Sequence, residues 1–286
     1  MNPPLVSIGI FVYNEAKYIS ETIESMLNQS YTNLEIVISD NCSYDGTSSI
    51  IAGFADNDLR IKFHQQKTNI GAFENLRYVF ENSTGEYFMW MGGHDVIAPT
   101  LIEQALSAFQ KNGKAILVYP NSEFIDGKSQ KTGKSSNAEI DNVGLTSFER
   151  IEKSTKNIKY CTPIYGLFKK SELKKVPIIK IVGSDNLMLF YAAYLGEIIQ
   201  LRDILYYRRE VRREDSLQER LDRYRMQGVS NFYNYHPNYA LIYQHFKCII
   251  SMRGLSVIDK WKLVNIVWHK YPIAISVKKT IKQYVK

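Results

Sequence analysis

Cysteine is scarce in this chain of 286 residues: Cys42, Cys161 and Cys248 are far apart and odd in number. That argues against a disulfide framework or a cysteine-built zinc site and fits reduced, buried thiols. No apolar run is long enough to span a bilayer. The opening MNPPLVSIGI has no basic segment and no cleavage site, and so does not read as a signal peptide. FVYNEA holds no glycine where a dinucleotide-binding turn needs G-x-G-x-x-G, so a Rossmann dehydrogenase is excluded. Internal repeats and low-complexity tracts are missing too. Acidic residues, 29 against 36 lysines and arginines, are outnumbered, and the net charge of +7 favours anionic partners.

What is present is ordinary globular material, 45% hydrophobic and 23% charged, with 20 tyrosines and 13 phenylalanines. Leu5 to Tyr13 is a continuous apolar run, as in a strand buried on both faces. Ile19, Ile23, Met26 and Leu27 then recur at helical spacing. Strands are predicted again at Leu34 to Ser39, Ile61 to His64 and Glu86 to Met91. Helical patterns follow each: Ile50, Ile51 and Phe54; Phe73, Leu76 and Phe80; Leu101 to Phe109. This alternation predicts an α/β fold with a doubly wound, mostly parallel sheet, whose site lies beyond the carboxyl ends of the strands. Tyr13-Asn14-Glu15, Asp40-Asn41, Asn69 with Gly71, and His94-Asp95 all fall there. Beyond them, Asn121 to Asn142 reads as a hairpin or mobile loop, Gly183 to Gly196 as a helix and Ile198 to Glu210 as a strand. The chain after Ser216 reads as helical.

The stretches VSIGIFVYNEA, LEIVISDNCSYDGT, TNIGAFENLRYVFENSTGEYFMWMGGHDVIAP, YGLFKKSEL, GSDNLML and LYYRRE, in this order, resemble the family-two glycosyltransferases. The resemblance covers roughly three quarters of the chain. It implies a GT-A fold: a Rossmann-like, mostly parallel central sheet flanked by helices, here with a helical C-terminal extension. It implies residues 1–215 as the catalytic domain (1–98 the nucleotide half, 99–215 the acceptor half) and 216–286 as the extension. The implied reaction moves a sugar from a nucleotide diphosphate sugar, UDP first among the candidates, to an acceptor hydroxyl with inversion.

By position in the family, Val12, Tyr13 and Glu15 cradle the nucleotide, and Asp40 reads the edge of uracil, thymine or guanine. Asp40 reads alternatively as a turn residue, and Tyr13 as packing. Asn69 and Gly71 match the loop near ribose and phosphates, where glycine lets backbone approach ligand closely. Family members usually carry further acids where this chain has Gly92-Gly93-His94-Asp95. Asp95 takes the place of the metal-binding acid, for Mn²⁺ or Mg²⁺. His94 either joins it on the metal, shifting preference toward Mn²⁺, or contacts ribose or phosphate. With one acid fewer, the metal should be weakly held.

Arg208, Arg209, Arg212 and Arg213 fall where the family closes over the diphosphate, and Arg208 matches its tyrosine-arginine pair best; most of the four read equally as a solvated basic face pairing with Glu210, Glu214 and Asp215. Asp185 matches the family's general base, and reads otherwise as a helix cap. The tail sets Trp261, Leu263, Val264, Ile266, Val267 and Trp268 among Lys260, Lys262, Lys270, Lys278, Lys279, Lys282 and Lys286, a pattern suited to an anionic membrane surface or, on its apolar side, equally to packing against the catalytic domain. The expected partners are a nucleotide diphosphate sugar and a glycan or lipid-linked glycan acceptor. Nucleic acid is not expected, because carboxylates at the strand ends repel phosphate backbone. The expected location is cytoplasmic, peripheral on the inner face of the membrane, in cell-surface polysaccharide synthesis. The alternative is a degenerate member that binds nucleotide sugar without transferring it.

Overall fold

A computed structural model describes residues 3–135, 138–210 and 237–271. Strands β1 (Val6–Val12), β2 (Leu34–Asp40), β3 (Ile61–Gln65) and β4 (Tyr87–Gly92) lie in the order β3-β2-β1-β4, all parallel. Helices α1 (Ile19–Leu27), α2 (Thr47–Ala55) and α3 (Ala72–Glu81) connect them, and α4 (Leu101–Lys111) follows β5 (Val96–Ile97). The apolar faces of α1, α2 and α4 pack on one side of the sheet through Ile19, Ile23, Ile51 and Leu101. Val79 and Phe80 of α3 meet Phe88 and Trp90 on the other side. Burial on both faces explains why β1, β2 and β4 are continuous apolar runs rather than alternating ones.

The second half is mixed rather than parallel. β6 (Ala115–Ile125) and β7 (Lys131–Ser135) form a hairpin, so the polar stretch after Asn121 is the hairpin of the two readings offered. After α5 (Ser147–Asn157) and a 3-10 turn at Thr162–Tyr165 come β8 (Leu167–Lys169), α6 (Lys170–Leu173), α7 (Ser184–Leu195) and β9 (Glu197–Arg209). The sheet continues β4-β8-β6-β9-β5, with β8 antiparallel to both its neighbours and β9 parallel to β6.

Beyond these lie α8 (Pro237–Ser251) and α9 (Val257–Lys270). Leu241, Ile249, Leu263 and Val267 share a buried cluster with Ile151 of α5 and with Leu187 and Phe190 of α7. Lys270 Nζ donates to the carbonyls of Thr155 and Ile158 at the end of α5. These last two described helices therefore complete a core begun by α5 and α7. No helix among the described residues is long and apolar enough to cross a membrane. Arg212, Arg213, Lys278, Lys279, Lys282 and Lys286 lie outside the described residues.

Register makes the strand ends level. Phe11 pairs with Gly92, Val12 with Asp40, and Asp40 with Gln65. Whatever follows each strand emerges onto one rim.

Candidate functional site

The rim begins after β1. Asn14 takes a left-handed backbone, φ 55°, and its N–H donates to Ser43 Oγ at 2.8 Å while its Oδ1 accepts from the Tyr44 N–H at 3.1 Å. These bonds join the turn after β1 to the turn after β2. Tyr13 is exposed and meets Tyr44 edge-to-face, ring centroids 6.2 Å apart. The Asn41 N–H donates to the Val12 carbonyl at 2.9 Å, and Asn41 Nδ2 donates to Asn69 Oδ1 at 2.9 Å. Asn69 Oδ1 also accepts from the Gly71 N–H at 2.9 Å, and Gly71 enters α3 with φ 86°, a conformation that glycine adopts without strain. Val12, Tyr13, Asp40, Asn69 and Gly71 thus stand on one rim. Asp40 is fully buried, and its carboxylate accepts hydrogen bonds from the Ser43 and Ser48 hydroxyls.

The loop after β4 packs against the same rim. A Cβ on Gly93 would meet Val12 Cγ1 at 2.6 Å, so only glycine lets the loop lie this close to β1. A Cβ on Gly92 would stand 3.0 Å from Asp95 Oδ2, so an acid at that place would crowd the one that is present. Asp95 is buried. Its Oδ2 accepts from the Tyr206 hydroxyl at 2.6 Å and its Oδ1 from the Arg209 N–H at 2.8 Å. His94 Nδ1 lies 3.0 Å from Glu15 Oε1, and its Nε2 lies 3.9 Å from Asp95 Oδ1. Glu15, expected in the nucleotide cradle, is buried here as the partner of His94.

The facing wall comes from the second half of the chain. Tyr165 stacks on Tyr206, centroids 5.5 Å apart. Burial first, then the nearby Asp95 carboxylate, raise the Tyr165 hydroxyl well above its ordinary value, with Asp185 acting in the same direction and Arg208 against it. The Cys161 thiol is raised by burial and then by the nearby Asp185 carboxylate. Tyr165 therefore sits within the electrostatic reach of Asp95, Asp185 and Arg208 together. Asp185 lies in the first turn of α7, but Gly183 occupies the cap position, and the Asp185 carboxylate accepts from the adjacent Asn186 N–H at 2.9 Å.

Strand alternation separates two adjacent arginines. Arg208 shares the Tyr206 side, with its guanidinium 5.6 Å from the Phe124 ring centre. Arg209 turns the other way. Its guanidinium is fully buried, donating to the His94 carbonyl at 2.8 Å, the Asp126 carbonyl at 2.9 Å and Glu21 Oε2 at 2.5 Å. It also lies over the Tyr18 ring, 4.6 Å from its centre. Arg209 is a clamp, committed within the protein. The sequence reading missed this role, together with Tyr206, Tyr165 and Cys161; the signal for Tyr206 was the LYYRRE stretch itself, since alternate residues of a strand share a face.

Two donors fit a divalent ion. Each Asp95 oxygen accepts one protein hydrogen bond and retains a second lone pair. Glu15 on one imidazole nitrogen, with the other turned toward Asp95, is the usual support of a metal-binding histidine. Among the described residues no three His, Cys, Asp or Glu side chains form a group able to hold an ion, so protein atoms alone make a weak site.

The fold and this rim define a GT-A glycosyltransferase architecture. The model of the glycosyl transferase family 2 matches residues 7–176, and the chain belongs to that family. An uncharacterized glycosyltransferase of Rickettsia typhi is 39% identical over 127 residues, which cover 44% of this chain and 39% of that protein. The putative glycosyltransferase EpsE of Bacillus subtilis is 34% identical over 110 residues, covering 38% of this chain and 40% of EpsE. The matched segments thus span about two fifths of these relatives. Among solved structures, S. aureus TarS 1–349 in complex with UDP-GlcNAc superposes with a TM-score of 0.70 at 18% identity, covering 99% of this chain and 76% of that one. The mannosyltransferase PcManGT from Pyrobaculum calidifontis, in complex with GDP-Man and Mn²⁺, gives 0.60 at 16% identity, covering 94% of this chain and 70% of that one.

Proposed function

We propose that this protein is an inverting glycosyltransferase that moves a sugar from a nucleotide diphosphate sugar, UDP-linked first among candidates, to an acceptor hydroxyl. The observation that carries the reading is where the two halves meet: the Asp95 carboxylate on the loop after β4 accepts from the Tyr206 hydroxyl of β9, and the Tyr206 ring stacks on Tyr165. Residues 1–215 form the catalytic domain in this reading, with 216–286 as its extension.

Val12, Tyr13 and Asn69 line the nucleotide, and Gly71 admits the ribose and phosphates to the backbone. Asp40 exchanges one serine bond for the N–H of the base, which favours uracil, thymine or guanine over adenine. TarS bound to UDP-GlcNAc supports a uridine donor, and PcManGT bound to GDP-Man keeps guanosine as the second choice. Asp185 takes the proton from the acceptor hydroxyl. The new bond from acceptor oxygen to the anomeric carbon forms as the bond to the diphosphate oxygen breaks, and Arg208 neutralises the departing diphosphate. Asp95 and His94 would hold a divalent ion, Mn²⁺ preferred, that adds positive charge at that diphosphate. We place the reaction on the cytoplasmic side, in the synthesis of a cell-surface glycan.

Calorimetry with UDP and GDP, with and without Mn²⁺, tests the donor assignment. Asp40→Ala should weaken diphosphate binding by about 1.5–3 kcal/mol while the protein stays folded, because a charge-assisted bond to the base is lost. Unchanged affinity in that variant removes Asp40 from the base site. A second reading, a binding protein without transfer, is favoured by Gly92 and His94 in place of family acids. Donor binding without product from a range of glycan acceptors would select it.

A further inference from the structure

The extension presents an apolar face that the protein core does not use. The tail's hydrophobic residues divide: Leu263 and Val267 face inward, whereas Trp261 is 67% and Trp268 49% exposed. On α9, Val257, Trp261 and Trp268 follow helical spacing, and Val257 is 84% and Ile258 66% exposed. On α8, Tyr243 and Ile250 are spaced by two turns and are 50% and 74% exposed. The two helices join these residues into one surface. Phe246 and Trp268 stack across them, ring centres 6.5 Å apart, and Lys260 Nζ donates to the Ile250 carbonyl at 2.9 Å.

The charge around that face has one sign. Beside Lys270, which is turned onto the α5 carbonyls, residues 237–271 hold Lys247, Arg253, Lys260 and Lys262 against a single acid, Asp259, whose carboxylate is held by the Ser256 cap. Lys247 and Lys262 are exposed. Both reach along aromatic rings, Lys247 over Tyr243 at 5.7 Å and Lys262 over Phe148 at 5.5 Å. Exposed tryptophan and aliphatic side chains within a rim of cations match the depth profile of an anionic bilayer: apolar groups enter the acyl boundary and ammonium groups stay among headgroups. A soluble protein partner would also accept the apolar face, but it gives no reason for the unbalanced positive rim. We propose that the α8–α9 face docks the protein on anionic lipid bilayers, by a shared two-helix surface rather than by the chain's last residues alone. The proposal is independent of the transferase reading, because none of these residues stands on the rim of the candidate site.

The test uses the full chain and vesicles of phosphatidylcholine with one quarter phosphatidylglycerol, against phosphatidylcholine alone. Flotation should find the protein on the anionic vesicles at low salt, and largely released once salt shortens the screening length to a few ångströms. Of the three tryptophans only Trp261 and Trp268 are exposed, so vesicle addition should blue-shift the emission of these two while buried Trp90 is unaffected. The double variant Ile258→Ser, Trp261→Ser should bind at least about ten-fold more weakly, with unchanged melting temperature and nucleotide affinity. Lys247→Glu with Lys262→Glu should do the same and lose the salt dependence. Full-length protein that ignores anionic vesicles at low salt overturns the proposal. So does a double variant, Ile258→Ser with Trp261→Ser, that binds them as tightly as the parent, for the last lysines then act alone. A dimer that this double variant converts to monomer overturns it also, because a second copy would then cover the face.

Discussion

In the proposed reading Asp95 serves two tasks with one carboxylate. Tyr206 and the Arg209 backbone fix its orientation, while the lone pair left on each oxygen is what an ion would use. With no other acid on that loop, Asp95→Ala should abolish any metal-dependent component of donor binding, read as loss of the difference between calorimetric titrations with Mn²⁺ and with chelator. Replacing His94 by a hard oxygen donor, His94→Asp, should raise the activity ratio in Mg²⁺ over Mn²⁺. Its close neighbour Glu15 makes this variant a severe test, since two carboxylates would then face each other where an imidazole and a carboxylate now stand 3.0 Å apart. Activity indifferent to chelator in the parent protein would leave Arg208 as the stabiliser of the leaving group.

At the scale of elements, β9 does the joining. Its last residues reach the loop after β4, the start of α1 and the β6–β7 hairpin through Arg209, Tyr165 through Tyr206 and Phe124 through Arg208. The two arginines should therefore fail differently. Arg209→Met should lower unfolding free energy by at least about 2 kcal/mol, from several lost bonds to buried partners. Arg208→Ala should leave the unfolding free energy within about 0.5 kcal/mol of the parent and weaken diphosphate binding. Equal loss of stability in both would overturn the division. On α7, Asp185 is not the cap residue, so Asp185→Asn should preserve melting temperature and donor affinity and lower turnover by about a hundred-fold or more. Early melting with normal turnover would assign Asp185 to structure. The element that escaped the sequence reading, α5, was announced by Thr146 and Glu149, which form a complete capping box; the polar residues before it drew attention to loop instead.

For the whole molecule, acid stability should fall in two steps with different causes. Burial holds the His245 imidazole at about 4 rather than 6.5, so the unfolded chain binds a proton that the folded one refuses. Stability from this group is full above about pH 6.5 and declines as pH falls toward 4. Burial alone would raise the Glu35 carboxyl, but Lys62, Ser7 and Thr84 outweigh it and hold it at about 2 instead of 4.5. That contribution is present above pH 4.5 and is lost as pH falls through the range toward 2. Urea denaturation across pH should show both slopes. His245→Phe should flatten the first and Glu35→Gln the second; a slope that persists in its variant refutes that assignment.

Local order was legible because it is written in local terms. Continuous apolar runs marked β1, β2 and β4, helical spacing marked the connecting helices, and the order of polar residues after each strand marked Val12, Tyr13, Asp40, Asn69 and Gly71 as one rim. Parallel register then brings those strand ends level whatever the side chains are. The sequence could not disclose which partner each group would take. Glu15 meets His94 across 79 positions once β1 and β4 lie side by side, and Asp95 meets Tyr206 across 111 once β9 folds back beside β5. The tail divided in the same way. Its tryptophans and lysines were plain in the sequence, but only packing on α5 and α7 decided that Leu263 and Val267 turn inward and Trp261 and Trp268 remain outside. Spacing defines which residues share a helix face; which face is buried depends on the neighbour, and the neighbour is a tertiary fact.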